Sequence, residues 1–177
     1  MVIVGENLKG LILSESICSV DHFDNFSINL KLDSSIYRQS EKAPTEKVIR
    51  YGLQRVDDYY DLERLEDGSL KIAPGECILA CSSELIRMPL GYLGLVQTKG
   101  TLARLFISAH CSDSQIEPGF SGKITLEIVN HSSFSVEIPV GANIAQLYIL
   151  RCSTDNSEPY SGKYQESDLP TLPLPIK

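Results

Sequence analysis

Glu127 stands alone as a carboxylate within residues 123–130, a segment whose members otherwise alternate between apolar and small or polar side chains. As a strand, this segment puts Ile124, Leu126 and Ile128 on one face and Lys123, Thr125, Glu127 and Val129 on the other. Lys123 and Glu127 are four positions apart, about 13 Å along a strand, too far to pair easily. A carboxylate so placed either faces water or lines a pocket, where partial burial raises its pKa toward general-base work. Upstream, Lys99, Gly100 and Thr101 combine a charge, a backbone open to close approach and a hydroxyl, the ingredients of an anion-holding turn. They lack P-loop spacing. Arg104, on the strand expected to follow, is either an anion ligand or half of a salt bridge.

Other chemistries find less support. The three histidines, His22, His110 and His131, lack the serine elbow or Cys–His pattern of a catalytic triad. His110, inside an apolar run, reads as a core histidine with its polar atoms satisfied. The five cysteines are odd in number and mostly sit in apolar runs, as buried small hydrophobes do in a reducing compartment. Cys77 and Cys81 are spaced C-x3-C and His110 adjoins Cys111, but no second close pair completes a zinc set, and the zinc-deaminase signature is missing. No protein-held metal is expected.

The 177 residues fit one domain with a core of its own. A net charge of −7 argues against a general nucleic-acid or anionic-membrane binder, though not against a single nucleotide. With no long apolar run and no leader pattern, the expectation is a cytoplasmic protein.

The elements that must position these groups follow from local patterns. Apolar residues Leu8, Leu11, Ile12 and Leu13 suit a short N-terminal helix over residues 5–17. Residues 26–32 alternate, with Phe26, Ile28, Leu30 and Leu32 facing inward. Residues 40–71 are polar and hold an acidic cluster of Asp57, Asp58, Asp61, Glu63, Glu66 and Asp67 with Arg64 as its nearby base, read as a solvated excursion. Turn signals at Pro74-Gly75, Pro118-Gly119 and residues 139–141 then punctuate strands at 76–81, 92–98, 105–111, 123–130, 134–138 and 144–150, with residues 85–88 as a helical turn. Short strands without intervening helices indicate an all-β sandwich, jelly roll or barrel over residues 1–151. Residues 152–177 form a proline-rich tail that either frays or orders over a ligand or a neighbouring subunit. Tyr160, Lys163 and Tyr164 favour the second.

In order, Lys99 to Leu105, Ile116 to Gly122 and Leu126 to Asn130, with Pro74-Gly75-Glu76, Pro139 to Gly141, Ala145-Gln146-Leu147 and Gly162-Lys163-Tyr164-Gln165, resemble the dCTP deaminase family of the dUTPase-like superfamily. The resemblance covers residues 72–165 most firmly, with Ser27 to Leu30 similar to the family's early strand. It implies a mainly-β, distorted β-barrel of the β-clip type, assembled as a homotrimer with sites between subunits. It further implies zinc-free attack of water on C4 of dCTP, with Glu127 as proton acceptor and Arg104 assisting. Lys99, Gly100 and Thr101 would hold phosphates carrying Mg²⁺. Glu117 would meet the sugar, the strand around Thr125 would present its backbone to the base, and Tyr160 and Lys163 would close over the nucleotide, which is dCTP, with dUTP and dTTP as related ligands. The family's Arg-Ser-Ser is here Lys99, Gly100 and Thr101, its Asp is Glu117 and its Trp is Phe120. Gly100 thus lacks the hydroxyl that orients the attacking water, and Lys99 lacks the bidentate fork of arginine. Three functions follow: a dCTP deaminase yielding dUTP and ammonia; a dUTPase or bifunctional deaminase/diphosphatase; or a catalytically weak nucleotide-binding or protein-interaction module.

Overall fold

The computed structural model describes residues 1–44, 48–66, 68–154 and 158–176. Among the described residues, thirteen strands and two α-helices follow in the order β1 (Val2–Ile3), α1 (Gly5–Glu15), β2 (Phe23–Asp24), β3 (Ser27–Lys31), β4 (Ser35–Gln39), β5 (Tyr60–Arg64), β6 (Ser69–Ile72), β7 (Cys77–Arg87), β8 (Tyr92–Thr98), α2 (Gly100–Ala103), β9 (Ile107–Ser108), β10 (Gln115–Ile116), β11 (Ser121–Asn130), β12 (Val136–Pro139) and β13 (Asn143–Arg151). One sheet runs β10-β8-β13-β3-β2, with β1 on the side of β13; a second runs β5-β4-β7-β11-β9; and β12 pairs with β6. Every pairing is antiparallel, so the all-β expectation holds, although hydrogen bonds do not close the sheets into one barrel.

The two larger sheets share a single core. Ile28 and Leu30 of β3, Ile78 and Ala80 of β7, Leu126 and Ile128 of β11, and Leu147 and Ile149 of β13 all belong to it. The helix α1 adds Leu8 and Ile12, the same periodic residues that predict it. The central pair is β7 with β11, in register from Ser121 opposite Arg87 to Val129 opposite Cys77, with an irregularity between Lys123 and Thr125. There the Ile124 N–H donates to the Ser82 hydroxyl at 2.9 Å. Along β11 the burial alternates without a break, placing Ile124, Leu126 and Ile128 inside and Lys123, Thr125 and Glu127 outside, as the period of two requires.

Several local expectations are corrected. Residues 85–88 form no helical turn, because Leu85, Ile86 and Arg87 pair with Lys123, Gly122 and Ser121 and prolong β7. The strand expected at 105–111 shrinks to Ile107–Ser108, since α2 occupies Gly100–Ala103 and Phe106 adopts a left-handed φ of 60°. Arg104 therefore caps a short helix instead of riding a strand. Phe26 is 61% exposed while Ser27 is buried, its hydroxyl accepting from the Gln146 amide at 3.0 Å. The polar excursion contains β5 and reaches β6, and the acidic cluster uses other bases than Arg64: Arg55 pairs with Asp57 at 2.8 Å and Arg38 with Glu63 at 3.2 Å. Asp67 lies outside the described residues. Cys81 is buried as expected, but Cys77 and Cys111 are exposed. Burial pushes the Cys18 and Cys81 thiols up to about 12, with the Glu84 and Asp33 charges adding respectively, so both are unreactive. Among the described residues, no helix is long and apolar enough to cross a membrane.

Asn130 fastens the far end of β11. Its side-chain amide donates to the carbonyls of Ile72 (3.0 Å) and Phe134 (2.9 Å), and its Oδ1 accepts from Ser132 N (2.9 Å) and Ser132 Oγ (2.7 Å). Replacing it by alanine strands several buried partners at once, each costing of order 1–3 kcal/mol. Asn130→Ala is expected to lower unfolding stability by about 3 kcal/mol, read as a lower denaturant midpoint at unchanged m-value.

Candidate active site

The outward face of β11 forms the floor of a cavity of ≈ 420 Å³. Glu127, Thr125 and Lys123 rise from that floor, and Glu117 and Phe120 come from the turn after β10. Asp113 and Gln115 stand at one side, and Tyr160, Tyr164, Thr171 and Pro173 of the C-terminal segment at another. Residues 158–176 of the tail thus pack against the body. The Tyr160 N–H donates to the Pro118 carbonyl at 2.7 Å, and the Tyr160 ring tilts against Phe120 with centroids 6.0 Å apart. Gly119 permits this approach: at φ +85°, a Cβ there would lie 2.7 Å from Pro159. Further on, Gln165 accepts from Ser121 N at 3.0 Å and donates to the Gly119 carbonyl at 2.9 Å, a two-point clamp on the start of β11.

Glu127 takes the sharper of its two sequence readings. Burial is the main force raising its carboxyl above the ordinary glutamate range; Asp113 adds to it, while the Cys111 N–H and His110 oppose it. The Cys111 N–H donates to Glu127 Oε2 at 3.2 Å and so aims the carboxylate. His110 is not the satisfied core histidine expected: its Nδ1 is buried without a hydrogen-bond partner among the described residues. Burial chiefly raises the Tyr160 phenol as well, with the Glu117 charge contributing. Three carboxylates, Asp113, Glu117 and Glu127, face one ammonium, Lys123, among the described lining residues. That ammonium is already engaged by Asp33 at 2.7 Å.

The expected site residues fall into two groups. Glu127, Glu117, Thr125 and Tyr160 meet in the cavity, whereas Lys99, Gly100, Thr101, Arg104 and Lys163 do not line it. Lys99 lies four residues beyond Leu95, the partner of Gln115, and so about 13 Å along β8 from the cavity's edge. Its ammonium reaches Asn29 at 2.8 Å and Asp24 at 3.3 Å. Arg104 folds back on the Gly100 carbonyl at 2.9 Å and is otherwise exposed. A Cβ on Gly100 would meet the Arg104 guanidinium at 3.0 Å, the mobile end of a long side chain. Lys163 donates to the carbonyls of Leu174 and Pro175. The sequence reading missed Asp113, Tyr60 and Thr171 as lining residues. Asp113 falls between the strands expected at 105–111 and 123–130, and nothing in the local pattern of Tyr60 or Thr171 signals a wall.

The all-β architecture has a counterpart among solved structures. The solved 2′-deoxycytidine 5′-triphosphate deaminase from Agrobacterium tumefaciens superposes with a TM-score of 0.63 at 18% identity, over 84% of this chain and 47% of that one. A family model described as dCTP deaminase-like matches residues 5–152, and the chain belongs to that family. A relative from Mycobacterium avium (strain 104), named "dCTP deaminase, dUMP-forming", is 36% identical over 121 residues, or 65% of this chain and 64% of its own length. One of the same name from Rhodococcus opacus (strain B4) is 30% identical over 172 residues, 90% of this chain and 88% of its own length. The matched stretch therefore spans just under two thirds of the mycobacterial relative.

The raised proton affinity of Glu127 has a sign that can be tested. A carboxyl favoured in its neutral form by the fold adds stability below the ordinary glutamate range and loses it as pH rises through the raised value. At neutral pH the buried charge is a cost. Glu127→Gln keeps the acceptor for the Cys111 N–H and removes the charge. Its melting temperature is expected to exceed that of the parent at pH 7–8, with the gap closing on acidification toward pH 4, measured by scanning calorimetry.

Proposed function

We propose that the chain is a dCTP deaminase-type hydrolase in which Glu127 takes a proton from a water attacking C4 of the cytosine, yielding dUTP and ammonia. The observation that carries this is Glu127 itself: a carboxylate on the cavity floor, aimed by the Cys111 N–H, with its proton affinity raised by burial. A base of that kind can accept a proton near neutral pH and return it to the departing amine. In this reading the backbone around Thr125, two residues away on the same face, meets the pyrimidine and Glu117 the sugar; Tyr160 packs beside Phe120.

The phosphates need cations that the described lining residues of one chain do not offer, since Lys123 is held by Asp33 and the other charged ones among them are acidic. Lys99, Gly100, Thr101 and Arg104 provide the complementary group at a different place on the surface. The family resemblance supplies the reading: a homotrimer, with the Lys99–Arg104 turn of one copy completing the cavity of the next. Mg²⁺ would enter on the triphosphate and neutralise part of its charge. The lining oxygens of Asp113 and Glu117 suit a hard cation through water, and no group of three or more potential ligands is arranged to hold a metal among the described residues.

A second reading continues the reaction to dUMP with loss of pyrophosphate. Glu117 at the cavity's edge and the names of the Mycobacterium and Rhodococcus relatives favour it. Ammonia and pyrophosphate released from dCTP with Mg²⁺ distinguish the two: ammonia alone supports deamination to dUTP, and both in equal amounts support dUMP formation. Neither product, with dCTP raising the melting temperature, leaves a nucleotide-binding module.

Glu127→Gln is expected to reduce ammonia release at least ~100-fold, as loss of a general base does. Arg104→Ala should do likewise. If two copies build each site, mixing and refolding the two inactive chains restores roughly a quarter of the sites; no recovery from the mixture would argue that one chain supplies both residues. Gly100→Ser restores the hydroxyl beside the water, at the expense only of a small shift of Arg104, and is expected to raise turnover several-fold in the same ammonia assay.

A further inference from the structure

Of the five cysteines only Cys77 and Cys111 are exposed, and the fold brings both to the outward face of β11. Cys77 opens β7 opposite Val129, and its side chain points outward in step with Leu79, which lines the cavity. Cys111 follows β9, which flanks β11 on the side away from β7. From there the chain turns back over β11. The Cys111 N–H donates to Glu127 Oε2 at 3.2 Å, and the Cys111 Sγ lies 3.8 Å from the Glu127 carbonyl. The Cys111 thiol therefore stands over β11 itself. Laterally it is about 4.8 Å, one strand spacing, from β7, and along the strand it is within about 7 Å of the pair formed by Val129 and Cys77.

A disulfide asks for Cα atoms within about 7 Å of each other, and the segment carrying Cys111 can supply the shift. Residues 109–114 belong to no helix or strand, and Ser112 takes a left-handed φ of 93°, a conformation unfavourable for a residue with a Cβ. We propose that Cys77 and Cys111 are a dithiol modification site: a peroxide joins them, and the bond draws the Cys111 N–H away from Glu127. The Cys77 thiolate attacks one peroxide oxygen, the O–O bond breaks, and sulfenic acid and water form. The Cys111 thiol then displaces the hydroxyl, so that the S–S bond forms, the S–O bond breaks and a second water leaves with the Cys111 proton. Two thiols are oxidised and one peroxide is reduced to two waters. The order follows from the surroundings of Cys111, whose thiol is raised chiefly by burial, with the Glu127 and Cys77 charges adding, so the first attack falls to Cys77. Cys18 and Cys81, buried and with thiols pushed up to about 12, stand outside this chemistry. The consequence for turnover rests on the role proposed above for Glu127; the bond itself does not.

The test treats the full chain with excess hydrogen peroxide, blocks the remaining thiols with iodoacetamide, and maps the digest by mass spectrometry without reductant. The parent and Cys152→Ser are expected to yield a peptide pair joining residues 77 and 111, lighter by two hydrogens than its parts and separated by dithiothreitol. Cys77→Ser and Cys111→Ser are expected to yield none. Ammonia release from dCTP by the oxidised parent should fall at least ~10-fold and return with dithiothreitol, while Cys77→Ser keeps its rate through the peroxide step. Hydrogen exchange at the Cys111 amide, followed by NMR, reads the lost bond to Glu127 without turnover and should be faster in the oxidised parent. Absence of the joined pair, or joining only between two chains, overturns the proposal. So does a joined chain whose Cys111 amide exchanges at the reduced rate. An untreated parent that releases no ammonia removes the deaminase reading alone, and the joined peptide with the faster amide then still supports the dithiol site.

Discussion

The antiparallel ladder between β7 and β11 carries the rest of the molecule. It is the longest pairing in the protein, and its strict alternation decides which side chains are core and which are chemistry. Ile124, Leu126 and Ile128 join the shared core of both large sheets, and that burial fixes the opposite face with equal force. A slip of one residue would turn Glu127 into the core and Leu126 into the cavity, which neither a charge nor an exposed leucine tolerates. The register is pinned at both ends by polar side chains: Ser82 at the irregularity near Lys123, and Asn130 with all its hydrogen-bonding capacity used.

On that rigid floor the walls are made of less regular material. The turn bearing Glu117, the loop bearing Asp113 and the C-terminal segment stand around β11 without belonging to its sheet. Their positions come from single contacts: the Gln165 clamp on Ser121 and Gly119, the Cys111 N–H on Glu127, the Thr171 bonds to Thr125. Each is worth about 1 kcal/mol, so these walls can move while the floor stays. The electrostatics fit such a division. A cavity with three carboxylates and one neutralised lysine suits proton abstraction and repels phosphate, and the cationic turn at Lys99 to Arg104 stands elsewhere. The site completed by two surfaces that is proposed above answers both demands.

The strands of the second half, the N-terminal helix and the alternation along residues 123–130 are legible in the sequence because each is encoded by a local period that burial then obeys. The failures are local periods that tertiary pairing overrides. Residues 85–88 have the look of a turn until β11 offers them partners, and residues 105–111 have the look of a strand until the turn at Lys99 winds into a helix and Phe106 reverses the chain.

The sequence by itself determined that Glu127 is a lone carboxylate on the face opposite the core, and the ordered set of turns around it determined the family, since both are properties of neighbours along the chain. Whether that face was wet or enclosed was decided only in three dimensions. The enclosing residues, Tyr60, Asp113, Glu117, Tyr160 and Thr171, come from segments far apart in the chain, and the desolvation that raises the Glu127 proton affinity depends on their convergence. The same holds for the C-terminal segment. Composition marks residues 152–177 as proline-rich, but only the folded chain brings Thr171 to Thr125 and Ile176 to Gly52, because a hydrogen bond between distant residues leaves no trace in the local pattern of either.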